Sequence, residues 1–199
     1  MHSFVKSALP ILIAKGKLSP MSKESLRGPS IKRIPDGDDR ERLTCPDCGF
    51  IDYQNPRIVV GAVCTWQDKF LMCRRAIEPS LGKWTFPAGF MELNESVAQG
   101  AAREAFEEAG VRVEIQDVLG VYEVPEVGHV MIMHRAPMLS PEFEAGIESL
   151  EVRFFTWNEM PWDDLAFPSV KWTLERYKDV IGQNDIACVN QVAESKAYS

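Results

Sequence analysis

From Ile58 to Trp66 the chain reads IVVGAVCTW, a short apolar run that predicts a strand. Gln67, Asp68 and Lys69 turn it into FLMCRR, a second strand, so the pair predicts a hairpin. KWTFPAGFME is extended and broken by Pro87 and Gly89. The period then changes. Val97, Ala101, Ala105 and Ala109 recur every four residues, which gives a helix one small, apolar face. Ser96 with Gln99 forms a capping-box pattern, and Gly110 stands where a helix-ending glycine belongs. VRVEIQDVLGVYEVP, GHVMIMHRAPM and EVRFFTWNEM read as strands, and Ser169 to Ile181 as an amphipathic helix. Strands mixed with two helices predict an α/β fold, a mixed sheet flanked by helices.

Composition narrows the partners. Of 199 residues, 45% are hydrophobic and 26% charged, which is ordinary globular usage. The net charge of -7 and the lack of a long basic run argue against a nucleic-acid partner. No apolar run approaches the length of a membrane span; ALPILIA, Ala8 to Ala14, is too short and contains Pro10. Lys6, Lys15, Lys17 and Lys23 precede the first acidic residue, Glu24. The readings of that leader stay open: an organelle presequence, a disordered leader, or a segment upstream of a start at Met21. Five cysteines, with Cys64 and Cys73 inside strand-like runs, point to buried thiols and a reducing compartment. A cytoplasmic location is therefore expected, with an organelle as the alternative.

The candidate chemistry lies in GFMELNESVAQGAAREAFEEAGV, Gly89 to Val111. Positions i, i+3 and i+4 share a helix face, so Glu104, Glu107 and Glu108 are expected to project together, opposite the alanines. Like charges so close repel unless a cation sits among them, and oxygen ligands suit Mg²⁺ or Mn²⁺. Glu95 before the helix and Arg103 within it are expected to pair and pin the loop to the helix. Taken alone, EAFEE also reads as a plain solvated face.

The whole segment carries more. Gly89, five residues, Glu95, seven residues, Arg103-Glu104-Ala105, one residue, Glu107-Glu108, one residue, Gly110-Val111: this resembles the Nudix box at every fixed position. The resemblance to Nudix hydrolases implies an α/β/α sandwich and metal-dependent hydrolysis of nucleoside diphosphate derivatives. It implies Glu104 and Glu108 as direct metal ligands, Glu107 as a direct or water-mediated one, and the Ala88 carbonyl as a further ligand. A glutamate outside the box often serves as base or ligand in relatives, and Glu148 and Glu151 are the candidates here. Gly89, Glu95, Arg103 and Gly110 take structural places.

IPDGDDRERLTCPDCGFIDYQNPRIVVGAV, GKWTFPAGFMELNES and GIESLEVRFF resemble, more narrowly, zinc-ribbon Nudix hydrolases acting on FAD or ADP-ribose. That implies a degenerate zinc-ribbon-like segment over 28–56 and a catalytic domain over 57–181; a leader over 1–27, without periodicity and expected to be mobile, and a C-terminal tail over 182–199 flank them. Of the ribbon's two CxxC pairs only Cys45 and Cys48 are present; Lys23 and Leu26 stand where the first would fall. Two cysteines cannot close a four-ligand site, so no structural zinc is expected. The NADH-type SQPWPFP stretch is absent, and Pro125 lies near the distance at which ADP-ribose relatives carry a proline. Arg74 and Arg75 are candidate phosphate ligands, and Trp84 and Tyr53 candidates to stack on a base or flavin. A homodimer is expected. The competing classes are a non-catalytic nucleotide sensor and an interaction module built on the damaged ribbon.

Overall fold

The computed structural model describes residues 28–193, so the expectations for the leader and for Lys23 and Leu26 lie outside the described residues. The chain divides into two compact units, one ending at Gln54 and one beginning at Asn55.

The first unit is a small antiparallel sheet. β1 (Ile31–Arg33) pairs β2 (Arg42–Thr44), which pairs β3 (Ile51–Asp52). Asp38, between β1 and β2, accepts Arg42 Nε at 3.0 Å and the Asp39 N–H at 2.8 Å, and so fixes that loop. Arg42 keeps the Asp38 carboxyl below its ordinary range. A tight CPDC turn connects β2 to β3. This sheet occupies the segment expected to resemble a zinc ribbon, with Cys45 and Cys48 in its turn.

The second unit opens with β4 (Arg57–Trp66) and β5 (Lys69–Arg75), joined as a hairpin in which Gln67 takes φ 57°. Their ladder lasts only from Thr65↔Phe70 to Trp66↔Lys69. Beyond it the strands splay. β6 (Trp84–Thr85) pairs β5, and β7 (Ala88–Phe90) pairs the first half of β4. α1 (Val97–Ala109) follows, then β8 (Val118–Val124), β9 (His129–Pro137), β10 (Ser149–Thr156), α2 (Pro168–Asp179) and β11 (Val189–Val192). The sheet order is β10-β5-β4-β9-β8-β11. The β4–β9 and β8–β11 pairs are parallel and the others antiparallel, so the sheet is mixed.

Alternation along β4 splits the core in two. Val60, Ala62 and Cys64 face α1, with Ala101, Ala105 and Ala109 all fully buried. Val59 and Val63 face the other way, into a cluster with Phe70, Met72, Tyr122 and Leu174 under α2. The result is an α/β/α sandwich. The alanines let α1 lie close on β4, and that closeness sets the site. No helix among the described residues is long and apolar enough to cross a membrane.

Two expectations change. VRVEIQDVLGVYEVP is a strand only from Val118; before it Val113 makes a single bridge to Met138. The stretch from 182 onward is not all tail, because Val189–Val192 adds a parallel strand to β8. VNQV is too short and polar for its pattern to announce a strand; the free edge of β8 supplies its partner groups.

Candidate active site on the first helix

Ser96 caps α1. Its hydroxyl accepts the Gln99 N–H at 3.2 Å, and the Gln99 side chain accepts the Ser96 N–H at 2.8 Å. Gly110 ends the helix at φ 64°, donating to Phe106 O at 2.8 Å.

Inside that frame the carboxylates do not project away from the alanines. At ~100° per residue, Glu104 and Glu108 fall beside Val97 and Ala101, and both are 8% exposed. Glu107 lies further round, with its side chain 57% exposed. The expectation of one charged face opposite the alanines is corrected: two glutamates belong to the buried stripe, and one stands at its rim.

Burial raises the Glu104 carboxyl, against the pull of Arg103. The Glu108 carboxyl is pushed up to about 8, first by burial, then by the charge of Glu104. The Ala88 N–H hydrogen-bonds to Glu108, and the charge of Arg75 also favours its ionised form. Gly89 leaves the room: a Cβ there would collide with the Glu104 carboxylate.

Arg103 ties the segment together, and all five of its N–H groups are engaged. Nε and Nη2 grip Glu95 at 3.0 and 2.8 Å. Nη1 donates to Glu104 at 2.7 Å and to Glu107 at 2.8 Å, and Nη2 to Phe90 O at 3.1 Å. Glu95 also accepts the Glu92 N–H at 2.7 Å, and these donors, Arg103 first, hold its carboxyl at about 2. The loop before the helix is thereby fastened to it.

The segment before β10 brings in a fourth carboxylate. Gly146 N–H donates to Glu108 O at 3.0 Å and Glu144 N–H to Ala109 O at 2.9 Å, covering carbonyls at the end of α1. A Cβ on Gly146 would collide with the Glu107 carbonyl, so only glycine allows the approach. Two residues on, the charge of Glu148 acts on both Glu104 and Glu108. Glu151 lies past a bulge in β10, opposite Arg74, and its Oε2 is 3.9 Å from Arg74 Nη1. Of the two, Glu148 is the one whose charge reaches the helix carboxylates.

The remaining candidates separate. Arg75 donates to Pro79 O at 2.8 Å and lies 5.2 Å from the centre of the Phe167 ring, within electrostatic reach of Glu108. Arg74 donates to Gly82 O at 2.8 Å. Trp84 is 7% exposed and meets Phe155 edge-on at 4.9 Å, so it packs the core and offers no open face to a base. Tyr53 belongs to the first unit, where Arg42 lies 5.3 Å from its ring centre.

Sequence reasoning passed over Gly100, where a Cβ would stand 2.6 Å from Glu95 Oε1 and 2.8 Å from a Val60 methyl. A glycine inside a helix costs about 1 kcal/mol against alanine, and that anomaly was the available signal. It also passed over Phe90, whose ring has Arg57 5.2 Å from its centre and His129 edge-on at 5.3 Å.

Hard oxygen donors, two of them buried carboxylates and one of these against a glycine, suit a small divalent cation. As the side chains stand, Glu104 and Glu107 both turn to Arg103, and among the described residues no three acidic, His or Cys side chains converge as a metal site. The donor set, rather than its present convergence, carries the fit.

The NUDIX domain model matches residues 55–177, and the Nudix N-terminal zinc-ribbon model residues 28–54. A NUDIX hydrolase from Nitrosomonas europaea superposes with a TM-score of 0.76 at 47% identity, over 83% of this chain and 96% of that one. An ADP-ribose pyrophosphatase from Methanocaldococcus jannaschii is 32% identical over 123 residues, 60% of this chain and 72% of that one. An ADP-ribose pyrophosphatase from Streptococcus suis, 21% identical, shares the fold with a TM-score of 0.58, over 68% of this chain and 99% of that one.

Proposed function

The chain belongs to the Nudix hydrolase family and is a pyrophosphohydrolase, and on that premise we propose ADP-ribose or FAD as its substrate. Hydrolysis within the pyrophosphate gives AMP plus ribose 5-phosphate or AMP plus FMN. The observation that carries the reading is the pair of buried carboxylates, Glu104 set against Gly89 and Glu108 held by the Ala88 N–H. The ADP-ribose assignment is supported by the name of the Methanocaldococcus jannaschii relative.

Glu104, Glu107 and Glu108, with the Ala88 carbonyl, would hold Mg²⁺ or Mn²⁺. A bound ion supplies neutralisation of the pyrophosphate's charge and orientation of water. The chain's own groups do the rest. Arg103 fixes Glu104 and Glu107 relative to Glu95 and so holds the helix to its loop. Glu148, exposed beside Glu104 and Glu108, takes the proton of the attacking water. Arg75 places a positive charge where a phosphate oxygen can meet it. No structural zinc, a homodimer, a cytoplasmic location and no nucleic-acid partner belong to the same reading.

A hydrolysis screen across ADP-ribose, FAD, NADH, coenzyme A and diadenosine polyphosphates tests it, with products separated by chromatography. AMP with ribose 5-phosphate or FMN is the expected pattern. Free inorganic phosphate as primary product, or turnover of neither ADP-ribose nor FAD, contradicts it.

A further inference from the structure

The first unit holds a second cluster of nucleophilic side chains. The turn Cys45-Pro46-Asp47-Cys48 is closed by Cys45 N–H to Phe50 O at 2.8 Å and Gly49 N–H to Cys45 O at 3.0 Å, with Gly49 at φ 76°. This folding lays the backbone N–H groups of Asp47 and Cys48 on the Cys45 sulfur, and the Cys48 thiol hydrogen-bonds to it too. Those donors, Cys48 N–H first, hold the Cys45 thiol below its ordinary range. Cys45 is 4% exposed, while Cys48 is open to solvent. The two sulfurs therefore lie within hydrogen-bond reach, one sheltered and the other accessible.

A four-ligand zinc site cannot be completed from this unit's own thiols and imidazoles. Residues 1–54 contain no other cysteine and one histidine, His2. The turn keeps the geometry that polarises a sulfur, and no other thiol of residues 1–54 stands to share a metal with it.

We propose that Cys45 and Cys48 are a reversible dithiol–disulfide pair whose reaction partner is a small-molecule disulfide of the glutathione class. The exposed Cys48 thiolate attacks one sulfur of glutathione disulfide. The S–S bond of the disulfide breaks, a Cys48–glutathione bond forms and one glutathione thiolate leaves. The Cys45 thiolate then attacks Cys48 Sγ, forming the Cys45–Cys48 bond and releasing the second glutathione. Two protein thiols lose two electrons and two protons, and one disulfide becomes two thiols. Excess thiol reverses each step.

The test uses the full chain with Cys188→Ser, which removes the other exposed thiol. The protein is equilibrated across a series of oxidised-to-reduced glutathione ratios, quenched by alkylation and mapped by peptide mass. The expected product is a peptide with Cys45 joined to Cys48, two hydrogens lighter than the dithiol and restored by dithiothreitol. Cys45→Ser should stop at glutathione on Cys48, and Cys48→Ser should leave Cys45 unmodified. Glutathione persisting on Cys48 in the parent chain overturns the proposal. So do both thiols remaining alkylatable at every ratio, or both being blocked by zinc that co-purifies at half an equivalent per chain.

Discussion

Gly89 and Glu104 share one space: a Cβ on Gly89 would overlap the Glu104 carboxylate. A residue on β7 thus determines where a helix side chain can lie. Gly89→Ala must push Glu104 off its position beside Glu108. A misplacement of about 1 Å at a reacting centre can cost ~100-fold. Turnover should fall by about that factor while the thermal midpoint moves little, because Gly89 packs no apolar surface. Steady-state rates and a melting curve on the same preparation check it; unchanged turnover would mean that the Glu104 position is not needed.

Gly100 sets two effects against each other. Alanine gains about 1 kcal/mol in helix propensity. Its Cβ, however, would stand 2.6 Å from Glu95 Oε1 and 2.8 Å from a Val60 methyl. Overpacking of this kind typically costs about 1–3 kcal/mol, and the clash also loosens the Glu95 grip on Arg103. Gly100→Ala should therefore be less stable in urea unfolding, despite the better helix former. A gain in stability would show that α1 lies less tightly on β4 than described.

Acid sensitivity follows from Glu95. Its carboxyl is held at about 2 in the folded chain, below the ordinary value of 4.5. A depressed folded value means that the stabilisation is present in full above about 4.5 and is lost as pH falls toward 2. Glu95→Gln should be less stable than the parent at pH 6, and the two should converge toward pH 2.5. Unfolding midpoints across that range decide it; a constant gap would remove Glu95 as the cause.

The two candidate bases should behave differently. A positioned general base contributes roughly 10²–10⁴-fold. Glu148→Gln should lower kcat within that range. Glu151→Gln, whose carboxylate faces Arg74, should change it by less than about tenfold, the scale of a weak surface ion pair. The reverse order would move the base to Glu151.

Local periodicity made α1, its Ser96 cap and its Gly110 stop legible, because each is written within a few residues. The box spacing likewise put Glu95 and Arg103 eight positions apart, where the observed pair forms. What stayed hidden depends on contacts distant in sequence. Trp84 looked available for stacking, yet Phe155 from β10 closes on it. Glu148 and Glu151 were indistinguishable until the β10 bulge and the Gly146 approach to α1 separated them. VNQV became a strand only because β8 offers it an edge. The placing of Glu104 and Glu108 was available from helix geometry alone, since their angular positions fall next to Ala101.

On the proposed reading, the buried carboxylates of α1 are the hydrolytic apparatus. Glu108→Gln keeps the side-chain shape, removes the ability to ionise and leaves an acceptor for the Ala88 N–H. Its kcat on the best substrate of the screen, in saturating Mg²⁺ and with a melting curve confirming the fold, is the direct measurement. Turnover should fall by at least about 100-fold, the scale of losing a major electrostatic stabiliser. Near-parental turnover in a folded Glu108→Gln chain would contradict the account.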